Sequence, residues 1–241
     1  MEKGSIQEIP FYSNALDEHF ELLVYTPGNY TPLYKYNILI ASDGKDYFQL
    51  GGISRIADEL MDNYEIENLI IVGVPYKNAQ DRKRKYIPTG DQHAAYLKFL
   101  AHELVPFIDN EFSTTALGAS RGLIGDSMAA TVSLLAAIKY PHTFGKVILQ
   151  SPYVDEWVLK AVEEAPTHNT LSIYHVIGKQ EKEVVTLDKE VKDFLTPNRE
   201  LNKLLHSKNY LNIFYDEFDG NHTWKYWKPD LRRALCKTFG I

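Results

Sequence analysis

Residues 118–140 read GASRGLIGDSMAATVSLLAAIKY, and the parsing of this stretch decides how the rest of the chain is understood. Gly118-Ala119-Ser120-Arg121-Gly122 matches Gly-x-Ser-x-Gly letter for letter, whereas Gly125-Asp126-Ser127-Met128-Ala129 lacks the last glycine. A nucleophile elbow, however, needs a strand that ends at the serine and a helix that starts directly after it, so that the hydroxyl stands on a strained turn. Ser127 meets both conditions. Residues 121–124 form an apolar run suited to a buried strand, and residues 128–140 carry Leu134, Leu135 and Ile138 at helical spacing before Pro141 closes the helix. Ser120 instead follows the turn-like Ser113-Thr114-Thr115 and precedes a strand, with Gly122 and Gly125 opposing a helix start. The letter match is therefore the decoy. Small residues are required two places either side of the serine because strand and helix approach closely there, and the methyl group of Ala129 is a tolerable departure. The bland alternative makes Ser127 an N-cap on a core helix.

Outward from this stretch, apolar runs alternate with helical patterns. Residues 20–25 (FELLVY), 36–41 (YNILIA) and 68–75 (NLIIVGVP) read as strands, as do 146–151, 171–177 and 211–218. Helical spacing marks residues 53–61, 93–111 and 155–164, then 199–206 after a break at Pro197, and finally 225–239, interrupted early by Pro229. Residues 76–91 read as a polar loop. This order predicts right-handed βαβ crossovers, hence an α/β fold with a mostly parallel central sheet and helices on both faces. No repeat, low-complexity tract or Gly/Ser linker divides the chain, so residues 1–241 are expected to form one domain.

Twenty-six basic against 32 acidic residues give a formal charge of -6, and 44% of the chain is hydrophobic. Such a balance disfavours a nucleic-acid partner and fits a small-molecule one. The single cysteine, Cys236, cannot close an intramolecular disulfide, and the N-terminal MEKGSIQEIPFY lacks an apolar export region. A cytoplasmic location is expected. No segment approaches the ~20 apolar residues of a membrane span, so no membrane partner is expected, while a homo-oligomer is compatible with the sequence. Gly-x-Gly-x-x-Gly, P-loop, His-Glu-x-x-His and Cys-x-x-Cys motifs are all missing, which leaves no sign of a cofactor or a metal and leaves acyl chemistry standing. His93 and His102 do not have metal-ligand spacing, and His175, in the middle of a strand, reads as a satisfied core histidine.

A serine hydroxyl needs an imidazole to take its proton. His222 is the best-placed base, on a Gly220-containing loop after the last strand. A carboxylate should hold that imidazole, and Glu181 is the choice, with Glu183 and Asp188 as alternatives. Asp219 neighbours His222 but would break the chain order Ser127, Glu181, His222. Two backbone donors should face the developing oxyanion. Met128 N–H, next to the nucleophile, is one; Lys45 N–H, in the Asp43-Gly44-Lys45 turn where Gly44 would let backbone approach the ligand, is the other. The run Asp81-Arg82-Lys83-Arg84-Lys85 is ordinarily a solvated surface. Because it follows a strand end, Arg82 or Arg84 could also hold an anionic substrate group. Trp224 and Trp227 are candidates for stacking on an aromatic group or for anchoring a helix.

These segments together resemble the esterase family of α/β hydrolases, which includes enterobactin-type siderophore esterases, S-formylglutathione hydrolases, feruloyl esterases and mycolyltransferases. The resemblance is carried by Ser42-Asp43-Gly44-Lys45, NLIIVGVP, RKYIP at residues 84–88, FLAHELVPFID at 99–109, RGLIGDSMAA at 121–130 and GNHTWKYW at 220–227. The departures are Ala129 and Ala130, where the family commonly has glycines, and Asn221. The resemblance implies an α/β-hydrolase fold and a catalytic triad with Ser127 as nucleophile and His222 as base. It also implies Lys45 and Met128 as oxyanion donors, and it favours Glu181 through a Gly-x-x-acid pattern. The activity expected is hydrolysis of a small-molecule carboxylic ester through an acyl-enzyme, with a siderophore or aromatic-acid ester in view. The alternatives are a thioesterase of the S-formylglutathione type, which favours a Cys-containing oxyanion loop missing here, and a catalytically silent scaffold that binds a ligand or protein.

Overall fold

The continuous apolar runs become strands buried on both faces, because every second side chain meets a helix layer on one side or the other. The computed structural model describes residues 3–166, 169–186 and 189–241. Eight strands form the main sheet: β1 (Ser5–Ser13), β2 (Glu18–Thr26), β3 (Asn37–Ser42), β4 (Leu69–Val74), β5 (Arg121–Asp126), β6 (Lys146–Gln150), β7 (Ser172–Gly178) and β10 (Asn212–Phe218). A separate small hairpin pairs β8 (Val184–Val185) with β9 (Val191–Lys192). The order across the main sheet is β1-β2-β4-β3-β5-β6-β7-β10. The pairs β1/β2 and β2/β4 are antiparallel and all others are parallel. The helices are α1 (Gly44–Asp46), α2 (Ile53–Asp62), α3 (Ala79–Tyr86), α4 (His93–Phe99), α5 (Val105–Glu111), α6 (Met128–Lys139), α7 (Glu156–Glu164), α8 (Leu195–Ser207) and α9 (Trp224–Phe239).

Two apolar layers cover the sheet. Ile38 and Ile40 of β3, with Ile70, Val72 and Val74 of β4, face α4, α5, α6 and α7. Leu39 and Ala41, with Leu69 and Ile71, face α2 and α9 on the other side. Among the described residues, no helix is long and apolar enough to cross a membrane.

Four local expectations change. Strand β1 escaped notice because it is a largely exposed edge, although its Phe11 packs on Phe99 and Phe107. The polar loop at residues 76–91 contains α3, started by Asn78, whose side chain accepts from Asp81 N–H at 3.0 Å. Little apolar periodicity marks this helix. Its inner face is held by Lys85, fully buried and paired with Glu18 at 2.9 Å and Asp81 at 2.7 Å. Pro197 does not break α8, since it occupies the first turn, where its missing N–H would have had no helical partner. Helix α9 likewise runs through Pro229. Between α4 and α5 the chain stays helical through a π-helical turn at Leu100–Leu104, just before Pro106.

Candidate active site

Strand β5 separates the two competing serines by its own length. Ser120 lies in a 3-10 turn ahead of β5, and Ser127 lies at its far end, between the strand and α6. Ser127 has φ 53 and ψ -125, a conformation that costs a non-glycine residue about 1–3 kcal/mol. Neighbouring backbone holds it there. Its N–H donates to Gln150 O at 3.0 Å, and its carbonyl accepts from Tyr153 N–H and Ala130 N–H, both at 3.1 Å. A side chain at Gly125 would stand 2.2 Å from the Ala129 carbonyl, so glycine is required at that position. Ala129 itself is fully buried, and the turn forms despite its methyl.

Glu181 follows β7 on a turn in which its N–H donates to Gly178 O at 3.1 Å. Its carboxylate is fully buried and gathers three donors: Ser151 Oγ at 2.6 Å and Gly178 N–H at 2.9 Å on Oε1, and His222 Nδ1 at 2.6 Å on Oε2. With Nδ1 donating, the other ring nitrogen of His222 is free to act as an acceptor. The ring is wedged between Phe194, 4.5 Å between centroids, and Trp227, 4.8 Å and edge-on. Of the other acids named from sequence, Glu183 and Asp219 are exposed, and Asp188 lies outside the described residues.

Ser127 and His222 line one cavity of about 460 Å³. Its walls include Tyr153, Phe194, Trp227 and the hairpin residues Val184 and Val185, with Lys83, Glu190 and Lys192 also lining it. Arg82 is on the wall, but its guanidinium is occupied. It grips both oxygens of buried Asp43, with Nε to Oδ1 at 3.1 Å, and lies 5.1 Å from the Tyr76 ring centre. Arg84 points elsewhere: it pairs with Asp91 at 2.7 Å, and both are exposed. Trp224 packs edge-on against Tyr47 at 5.0 Å and against Trp227, and it is Trp227 that reaches the cavity.

The turn after β3 emerges beside the turn after β5, because those strands pair directly, Ala41 opposite Ile124. Met128 lines the cavity as the first residue of α6, and Lys45 is the second residue of α1. Amide N–H groups at such positions have no intrahelical acceptor. The reason for Gly44 differs from the expected one: a Cβ there would meet Gly73 Cα of β4 at 2.3 Å, so the glycine serves strand packing.

Two carboxyl groups lie close together below this edge. Asp43 (φ 60) is pushed up to about 6 by burial against the opposing pull of Arg82, and Asp126 is pushed up to about 8 by burial and then by Asp43. Asp43, gripped on both oxygens, is the ionised member of the pair; Asp126 is the neutral one. Among the described residues, no group of three or more His, Cys, Asp or Glu side chains is arranged to hold a metal ion.

The family model described as "Putative esterase" matches residues 13–238. The chain belongs to the esterase family. This esterase is 50% identical over 234 residues to the Bacillus subtilis (strain 168) "Uncharacterized protein YjcH", covering 97% of both chains. Its fold is similar to that of a ferulic acid esterase, with TM-score 0.80 and 16% identity over 98% of each chain. It is also similar to the enterobactin esterase FES of Shigella flexneri in the presence of enterobactin, with TM-score 0.83 and 18% identity over 97% of this chain and 59% of that one. These likenesses establish the α/β-hydrolase fold.

Ser151, Asp126 and Phe194 also neighbour the site, although no motif in the sequence marks them. Ser151 and Asp126 both stand at the C-terminal ends of parallel strands, where ligand sites of α/β sheets gather, and that rule was the signal available. Phe194 carried no such mark. It reaches His222 from the loop before α8.

Proposed function

We propose that the chain is a serine esterase that hydrolyses a small carboxylic ester through an acyl-enzyme. The observation that carries this reading is the 2.6 Å contact between His222 Nδ1 and Glu181, on the same cavity as Ser127 in its strained turn. In the first step Ser127 Oγ attacks the ester carbonyl while the free nitrogen of His222 takes its proton. Glu181 steadies the imidazolium. The N–H groups of Met128 and Lys45 hold the oxyanion, a contribution worth on the order of 10²-fold or more per donor. His222 then protonates the departing alcohol. A water molecule, deprotonated by His222, attacks the acyl-enzyme, and the acid leaves as Ser127 regains its proton.

The aromatic wall of Tyr153, Phe194 and Trp227 favours an ester with an aromatic or catechol-like group, in keeping with the ferulic acid and enterobactin named for proteins of the same fold. A fluorophosphonate probe tests the mechanism. Wild-type protein should be labelled once per chain and the Ser127→Ala variant not at all; labelling that survives the substitution, or none in the folded wild type, overturns the reading. Turnover of p-nitrophenyl esters with aryl and alkyl acyl groups then tests the substrate class.

A further inference from the structure

The esterase reading leaves one buried group on the cavity unused. Asp126 ends β5, precedes Ser127 and lines the cavity with Ser127, Met128 and Arg82. It is 6% exposed, and its Oδ1 is buried with no hydrogen-bond partner among the described residues. The Arg82 guanidinium beside it turns Nε and Nη2 to Asp43, and none of its bonds reaches Asp126 Oδ1. An apolar side chain would serve a strand end at least as well for stability, since a buried acceptor without a donor is costly to keep. A donor arriving with the substrate would complete it.

We propose that Asp126 is a specificity-determining residue whose carboxyl accepts a hydrogen bond from an O–H or N–H on the acyl carbon next to the reacting carbonyl. The preferred substrates are then hydroxy-acyl and acylamino-acyl esters. This rests on the Ser127 esterase reading. Adjacent Cα atoms are ~3.8 Å apart, which keeps this carboxyl on the nucleophile's side of the cavity they both line, nearer the first atoms of an acyl group on Ser127 than its far end. That group, bonded to Ser127 Oγ in the acyl-enzyme, stays within reach through both steps, whereas the alcohol departs. The terminal torsion of an aspartate is broad and roughly two-fold, so either oxygen can be presented to the cavity. Burial and the neighbouring Asp43 push the carboxyl up to about 8, so near neutral pH it places no negative charge beside the developing oxyanion.

The test compares p-nitrophenyl butyrate, 2-hydroxybutyrate and N-acetylalaninate, each kcat/KM divided by the ester's own hydroxide-catalysed rate. Wild-type enzyme should favour the two substituted esters by roughly tenfold or more, the size expected for one hydrogen bond to a buried group. Asp126→Asn keeps an acceptor and should retain the preference, while Asp126→Leu should bring the ratio close to one. Because the readout is a ratio, a general loss of rate cancels. A wild-type ratio near one, or an unchanged ratio in Asp126→Leu, overturns the inference while fluorophosphonate labelling of Ser127 still stands. Failure of that labelling in wild-type protein overturns the esterase reading beneath it.

Discussion

Ser151 sits under the candidate acid and does two things at once. Its hydroxyl donates to Glu181 Oε1 at 2.6 Å and accepts from the Trp227 indole N–H at 3.0 Å. It also holds φ 51, an uncommon conformation for serine, directly after β6. Replacing it by alanine would take one of the two donors from Glu181 Oε1, which keeps Gly178 N–H, and would strand the indole N–H of Trp227. The Ser151→Ala variant should lose roughly tenfold in kcat with little change in KM, as expected when an interaction that matters mainly in the transition state is removed. Its Tm should fall by several degrees, because each unpaired buried group costs about 1–3 kcal/mol. Steady-state kinetics and thermal unfolding on the same preparation check both. The three residues named from sequence as a triad sit as follows: Ser127 and His222 on one cavity, Glu181 bonded to His222. Glu183 was separable from Glu181 only by burial, which local spacing does not report.

The strand–turn–helix of β5 and α6 depends on an approach that leaves room for no Cβ at residue 125. A Gly125→Ala change must push strand from helix, an overpacking cost of about 1–3 kcal/mol that falls on the strained residue two places on. The variant should show a lower urea midpoint and should lose fluorophosphonate labelling; full labelling at wild-type stability would mean that the turn tolerates the side chain. This element was legible because each requirement of the turn is local: an apolar strand, a glycine, a helix of good formers and a closing proline. Helix α3 shows the opposite case. Its residues look like a solvated charge run, yet Lys85 and Asp81 are buried, and the helix carries Arg82 to the cavity. A lysine that is buried because a glutamate 67 residues earlier meets it cannot be recognised from its neighbours.

Across the molecule, the buried carboxyls tie stability to pH. Asp126 keeps its proton to about pH 8 in the fold but releases it near its ordinary 3.8 when unfolded. Between those values this carboxyl holds its proton in the folded chain and has lost it in the unfolded one, so this group's contribution is fully present below about 3.8 and is lost as pH rises towards 8. The Asp126→Asn variant removes that dependence. Its Tm relative to wild type should therefore climb between pH 4 and pH 8, by about 3 °C or more if the linkage is worth at least 1 kcal/mol. A pH-independent difference would show that Asp126 ionises freely in the fold. Buried His175 acts in the other direction: burial lowers it to about 4, so its contribution is lost as pH falls below its ordinary 6.5. Its Nε2 is bonded to Asn198 at 2.7 Å while Nδ1 has no partner among the described residues, so within them it is a core histidine only half satisfied.

The alternation of the buried strands with most of the helices, and the place of Ser127 rather than Ser120 between a strand and a helix, were legible in the sequence alone. Hydrophobic continuity and helical spacing report burial and backbone preference within a dozen residues, and a strand–turn–helix needs no more. The tertiary structure alone decided which acid meets His222, that Arg82 is committed to Asp43 while Arg84 faces Asp91, that Trp227 and not Trp224 reaches the cavity, and that Asp126 is buried with an oxygen to spare. Each of these depends on which strand ends the parallel crossovers bring side by side, joining residues dozens of positions apart whose partners leave no mark on the local pattern.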